Sequence, residues 1–183
     1  MAVTEQLEVL IMVARRLESA QIGYMVTGST AASYYAVPRM TRDIDIVIEV
    51  STGDVEGLIG LLREDFYVEP QAVAEAVAER TAFNAIHTDR VVKVDFLVRK
   101  DSEYRREEFG RRRRVMIGGT AIFIVAPEDL IISKLDWARD NRSEVQLRDV
   151  RNLLAADPGL DREYMDRWVA RLGLDSLYRE VAG

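Results

Sequence analysis

The segment Asp43-Ile44-Asp45-Ile46-Val47-Ile48-Glu49-Val50 constrains this chain more than any other. Its aliphatic run predicts a strand, and two carboxylates one residue apart inside such a run are expensive to place without a reason. A strand alternates faces with period two, so Asp43 and Asp45 project from one side, about 7 Å apart along the chain. Val94-Asp95-Phe96 repeats the motif of a carboxylate interrupting an aliphatic strand. If that strand is a neighbour, three negative charges meet at one spot. Such a cluster either raises its own pKa values by mutual repulsion or captures a divalent cation. Oxygen donors, no cysteine and a single histidine point to Mg²⁺ or Mn²⁺. Metal-assisted phosphoryl or nucleotidyl transfer is the chemistry that uses this arrangement best. An EF-hand is excluded, because neither its glycine nor its late bidentate glutamate is in register.

The chain of 183 residues suits one domain with a core that needs no staples. With no cysteine, disulfides, thiolate metal sites and a cysteine nucleophile are out of reach. The lone His87 leaves little room for a Ser-His-Asp triad, and no Gly-x-Ser-x-Gly elbow accompanies it. The apolar run Val9–Ala14 is too short for a signal peptide core, and Arg15-Arg16 follows it rather than a cleavage site. No stretch approaches the roughly 18 apolar residues of a membrane span. A cytoplasmic protein without a membrane partner is the expectation. A net charge of −6 argues against a surface coated for bulk nucleic-acid binding.

Helical spacing of Leu7, Leu10, Ile11, Ala14 and Leu17 predicts a helix over 4–20. A strand over 24–27 follows, then a Gly28-Ser29 turn in which Ser29 is expected to cap a helix over 30–36. After the strand over 43–50 come helices over 54–63 and 70–79, the second opened by Pro70. Residues 83–87 and 91–98 read as paired strands, presenting Asp95 at mid-strand. A helix over 102–110 and two strands around Gly118-Gly119 complete this part. Past Pro127 the pattern is helical only, over 127–141, 144–157, 161–172 and 174–181. The expected fold is α+β, with a mixed-sheet core over 1–126 and a helical part over 127–183 packed on it as one compact unit.

Thr27-Gly28-Ser29, then Asp43-x-Asp45, then the lone Asp95 resembles the signature of the DNA polymerase β-like nucleotidyltransferases. The wider wording Arg39-x-Thr41-x-Asp43-x-Asp45 is similar to that of the bacterial AbiEii-type toxin nucleotidyltransferases. So is the segment Pro127–Leu135, with Lys134, followed by Gln146-Leu147-Arg148-Asp149-Val150. The resemblance covers roughly residues 22–156. In that group a second Asp often follows three residues later, where this chain has Asn152.

The resemblance implies an enzyme that moves a nucleoside monophosphate from an NTP to an acceptor. Asp43, Asp45 and Asp95 would hold the metal, with Asp95 also taking the proton of the attacking hydroxyl. Gly28 and Ser29 would bind the triphosphate, since glycine lets backbone approach phosphate and a helix N-terminus favours anions. Arg39 and Arg42 could reach a phosphate from the loop before the metal strand. Lys134 would contact phosphate and Asp149 would act as an acceptor partner or as acid/base, with ion pairing between the two helices as the bland alternative. The acceptor stays open among tRNA or other RNA, protein and small molecules, and a toxin role would bring an antitoxin partner. A non-catalytic nucleotide- or partner-binding member of the fold is the alternative. A metal-dependent nuclease or phosphohydrolase is a third reading, one that needs no Gly-Ser turn. Between Arg99 and Arg114 eight cationic residues stand against four acidic ones. An RNA patch is one reading, and a solvated helix end the preferred one. His87 reads as a strand-end surface residue, and Trp137 and Trp168 as core or helix-packing residues, not a base-stacking platform.

Overall fold

The computed structural model describes residues 5–38 and 43–182. Among these residues seven strands form one mixed sheet: β1 (Gly23–Thr27), β2 (Asp43–Glu49), β3 (Phe66–Tyr67), β4 (Ala82–His87), β5 (Lys93–Val98), β6 (Arg113–Ile117) and β7 (Thr120–Ile124). Their order is β3-β4-β5-β2-β1-β7-β6. β2 runs antiparallel to β1 but parallel to β5, and β1 runs parallel to β7. The helices are α1 (Glu5–Ser19), α2 (Gly28–Tyr35), α3 (Val55–Leu62), α4 (Pro70–Glu79), α5 (Glu103–Gly110), α6 (Pro127–Ala138), α7 (Glu144–Ala156), α8 (Arg162–Leu172) and α9 (Asp175–Ala182). This is the α+β architecture expected, with the described residues beyond β7 forming helices and their connections.

Period-two alternation sets the sheet's two faces. Ile44, Ile46 and Ile48 on β2, with Val94, Phe96 and Val98 on β5, are buried. Asp43, Asp45 and Val47, with Lys93, Asp95 and Leu97, are only partly covered. Phe83 and Phe96 stack across β4 and β5, fixing register beside Asp95. α1 buries Val9, Leu10, Val13, Ala14 and Leu17 along one stripe and packs on β1 and β7.

α6 is enclosed nearly all round: Pro127 through Leu135 are buried, including Glu128, Asp129, Ser133 and Lys134. It packs against α2, α7 and α8. Buried charges at such a position need partners. Arg111 Nε donates to Asp129 Oδ2 at 2.9 Å, and the Tyr164 hydroxyl donates to Asp129 Oδ1. Arg111 and Arg113 both reach Glu128 at 3.3 Å.

Three expectations are corrected. Ser29 does not cap α2: the helix begins at Gly28, Thr27 is its N-cap, and Ser29 lies in the first turn. His87 is buried against the Phe66 ring, and its Nδ1 accepts the amides of Asp89 and Arg90 at 3.3 Å. The strand it faces, β3, is two residues long, too short to show a periodic pattern. The arginine-rich stretch is not a solvated helix end either. Arg113 and Arg114 lie in β6, Arg111 is spent on Glu128 and Asp129, and Arg105 bonds Glu108 at 2.9 Å, Ser133 at 2.6 Å and Asp136 at 3.0 Å. Those cations neutralise buried acids of α5 and α6, a demand invisible until α6 is seen to be interior.

Candidate active site

The parallel register of β2 and β5 sets Asp45 opposite Asp95 and Asp43 opposite Lys93. On its other side Asp45 pairs with Thr27, the last residue before α2. The first turn of α2 therefore starts against the Asp45 carboxylate. Gly28 takes φ of +61°, and a Cβ there would lie 2.0 Å from Asp45 Oδ2. No other residue type fits that contact unchanged, for steric and conformational reasons together. The Ser29 backbone N–H donates to the Asp45 carboxylate. The aspartate thus satisfies one of the unpaired amides at the helix start, the task usually given to a capping side chain.

Asp45 is held above the ordinary carboxylate range by burial first, then by the charges of Asp95 and Asp43, against the opposing pull of the Ser29 N–H and Lys134. Lys93 answers part of this negative charge. Its ammonium sits 2.8 Å from Asp95 Oδ2 and 3.6 Å from Asp43 Oδ2, and its pKa is raised, foremost by the bond to Asp95. Among the described residues no three carboxylate or imidazole groups stand gathered as metal ligands. The donor set nonetheless fits a hard divalent cation: three carboxylates share one sheet face, repel one another, and already draw a cationic side chain between two of them.

α6 and α7 build the facing wall. Lys134 is 4% exposed, and its ammonium donates to Asp149 Oδ2 at 2.9 Å and to Gln146 Oε1 at 3.0 Å. Asp149 is 5% exposed. A cleft is lined by Gly28, Ser29, Asp45, Lys134, Trp137 and Gln146, so the Gly-Ser turn, one acid and the lysine meet at one opening. Asp149 sits behind Lys134 as its ion-pair partner. Arg39 and Arg42 lie outside the described residues.

Trp137 corrects the expectation of a packing residue. It is 61% exposed at the cleft, whereas Trp168 is buried beside Tyr104 as expected. Lys93, Gln146 and Trp137 had not been singled out as site residues. Only Lys93 left a signal, since a residue two positions before Asp95 on a strand must share its face.

The chain matches the family described as nucleotidyl transferase of unknown function (DUF2204) over residues 6–177. Among solved structures, ANT(2'')-Ia in complex with adenylyl-2''-tobramycin superposes with a TM-score of 0.61 at 15% identity, over 96% of this chain and 99% of that one. An antigenic nucleotidyltransferase-like protein from Paracoccidioides brasiliensis gives 0.59 at 18% identity, over 97% and 92%. The lincosamide antibiotic adenylyltransferase LnuA, lincomycin-bound, gives 0.55 at 12% identity, over 84% and 98%. At these identities the likeness is one of fold. No curated protein matches the chain in sequence. A sheet that sets Asp45 beside Asp95, a glycine turn closed on Asp45 and a family match spanning 6–177 agree: the chain belongs to the DUF2204 family of nucleotidyl transferases.

Proposed function

We propose that this protein transfers a nucleoside monophosphate from an NTP to an acceptor hydroxyl with the help of a divalent cation. The observation that carries the reading is the contact of three strands and one helix at Asp45: Asp95 opposite it in β5, Thr27 opposite it in β1, and the Gly28–Ser29 turn closed on its carboxylate. Asp43, Asp45 and Asp95 would hold Mg²⁺ or Mn²⁺, which when bound supplies charge neutralisation at the phosphates. Every other contribution comes from side chains and backbone. The N-terminal end of α2 favours the triphosphate, and Lys134, with two of its three donors on Gln146 and Asp149, offers the third to a phosphate oxygen. Asp149 positions that ammonium rather than touching substrate. The acceptor oxygen attacks the α-phosphorus, its proton passes to Asp95, and the bond to the β-phosphate breaks with its electron pair leaving on pyrophosphate.

The acceptor class remains part of the proposal. One of the three superposed structures is named as a lincosamide antibiotic adenylyltransferase and another holds adenylyl-2''-tobramycin, while the wording around Arg39–Asp45 resembles a toxin group. Induced expression with and without Asp45→Asn separates these: growth arrest abolished by the substitution supports a toxin, and no arrest removes that role. No helix among the described residues is long and apolar enough to cross a membrane.

Incorporation of α-³²P-labelled NTP into RNA, protein and hydroxylated small molecules tests the activity directly. Asp45→Asn and Asp95→Asn should each lower it by at least a hundredfold, the scale of losing a transition-state charge contact. Asp95→Asn should keep the wild-type melting temperature, and Asp45→Asn should raise it slightly because a repelled carboxylate is removed. Unchanged incorporation in either variant refutes the mechanism, and a large fall in melting temperature would make the residue structural.

A further inference from the structure

We propose that Trp137 is the stacking surface for the nucleobase of the bound NTP, an assignment that rests on the nucleotidyltransferase reading and deepens it. Leu130, Ser133, Lys134 and Trp137 follow one another at helical spacing along α6, and all four line the cleft that contains Gly28, Ser29 and Asp45. Trp137 is three residues beyond Lys134, about 4.5 Å further along the helix axis. A nucleotide whose phosphates lie between the Gly28–Ser29 turn and Lys134 must send its ribose and base outward, and the next side chain on that wall is the indole.

Trp168 packs on Tyr104 and carries Arg167 and Arg171 against its ring. Among the described residues no ring and no guanidinium lies over Trp137, which keeps 61% of its surface open. Trp137 also borders a second hollow, in which Val47 and Leu97 from the open sheet face stand among charged side chains that include Arg80, Arg99 and Arg139. An exposed indole face beside the opening that holds Gly28, Ser29 and Lys134 suits a flat heterocycle. Stacking needs only a π-face, so the platform accepts all four bases with small preferences.

The test measures binding of non-hydrolysable ATP, GTP, CTP and UTP analogues, and of inorganic tripolyphosphate, all with Mg²⁺, to wild type, Trp137→Phe and Trp137→Ala. Calorimetry gives the affinities, and indole fluorescence gives a local signal because the second of the two tryptophans is buried. Trp137→Ala should weaken every NTP analogue by about ten- to a hundredfold, with Trp137→Phe in between, while tripolyphosphate affinity stays unchanged. Fluorescence quenching by NTP should vanish in Trp137→Phe. NTP affinity within twofold of wild type in Trp137→Ala overturns the stacking role while leaving the transferase reading intact. An equal loss for tripolyphosphate also overturns it, because the substitution would then act on the phosphate end. Failure of wild type to bind either ligand sinks the transferase reading and this assignment with it.

Discussion

Two single positions carry consequences out of proportion to their size. At Gly28 the positive φ and the contact with Asp45 act together. Gly28→Ala should cost about 1 kcal/mol for the backbone alone, and more for the collision with the carboxylate. Because the collision is with Asp45, a double-mutant cycle of Gly28→Ala with Asp45→Ala, read by urea unfolding, should show coupling above about 0.5 kcal/mol. Strict additivity would mean the turn gives way without disturbing the acid. Lys134 poses the opposite problem, since its ammonium is functional in the proposal yet buried on Asp149. Lys134→Met alone should destabilise the fold by removing the ammonium paired with the buried Asp149 carboxylate. Pairing it with Asp149→Leu should recover most of that stability but none of the NTP affinity. Recovery of both would reduce the pair to a structural ion pair.

The element that decides most is α6, a helix whose interior placement obliges neighbouring elements to deliver cations. Arg105 from α5, Arg111 at the end of α5 and Arg113 at the start of β6 meet Glu108, Glu128, Asp129 and Asp136. Burial pushes the Asp129 carboxyl up to about 6, against the opposing bonds from Tyr164 and Arg111. A folded value above the unfolded one means the native state binds more protons between about pH 4 and 6. Asp129 therefore destabilises the fold progressively as pH rises through that window, by on the order of 2–3 kcal/mol once complete. Relative to Asp129→Asn, the wild type should lose stability from pH 4 to 6 and show no further divergence from 7 to 8. A difference between the two proteins that stays flat from pH 4 to 7 would contradict the assignment. Arg105, Arg111 and Arg113 are thereby committed to folding, and their charge is already answered by protein acids.

At the scale of the whole molecule the site exists because β2 is central, with β1 on one side and β5 on the other. Much of this was legible beforehand. The helix over α1, the opening of α4 at Pro70, the strand bearing Asp43 and Asp45, the hairpin at Gly118-Gly119 and the run of helices after Pro127 all follow from local rules: apolar period, proline and glycine placement, strand alternation. So does the common face of Asp43 and Asp45, which period two determines by itself. What no local rule contains is which strands far apart in the chain become neighbours. The opposition of Asp45 and Asp95 depends on a parallel pairing between distant segments, and the closure of Gly28 on Asp45 depends on the antiparallel one with β1. The exposure of Trp137 against the burial of Trp168 was equally out of reach, because both lie on helices and only packing decides which face turns inward. Sequence determined the elements and the chemistry they carry, since both are properties of contiguous residues. Tertiary structure alone decided register, burial and the partners of charge, since these belong to pairs of segments whose separation along the chain erases any local trace.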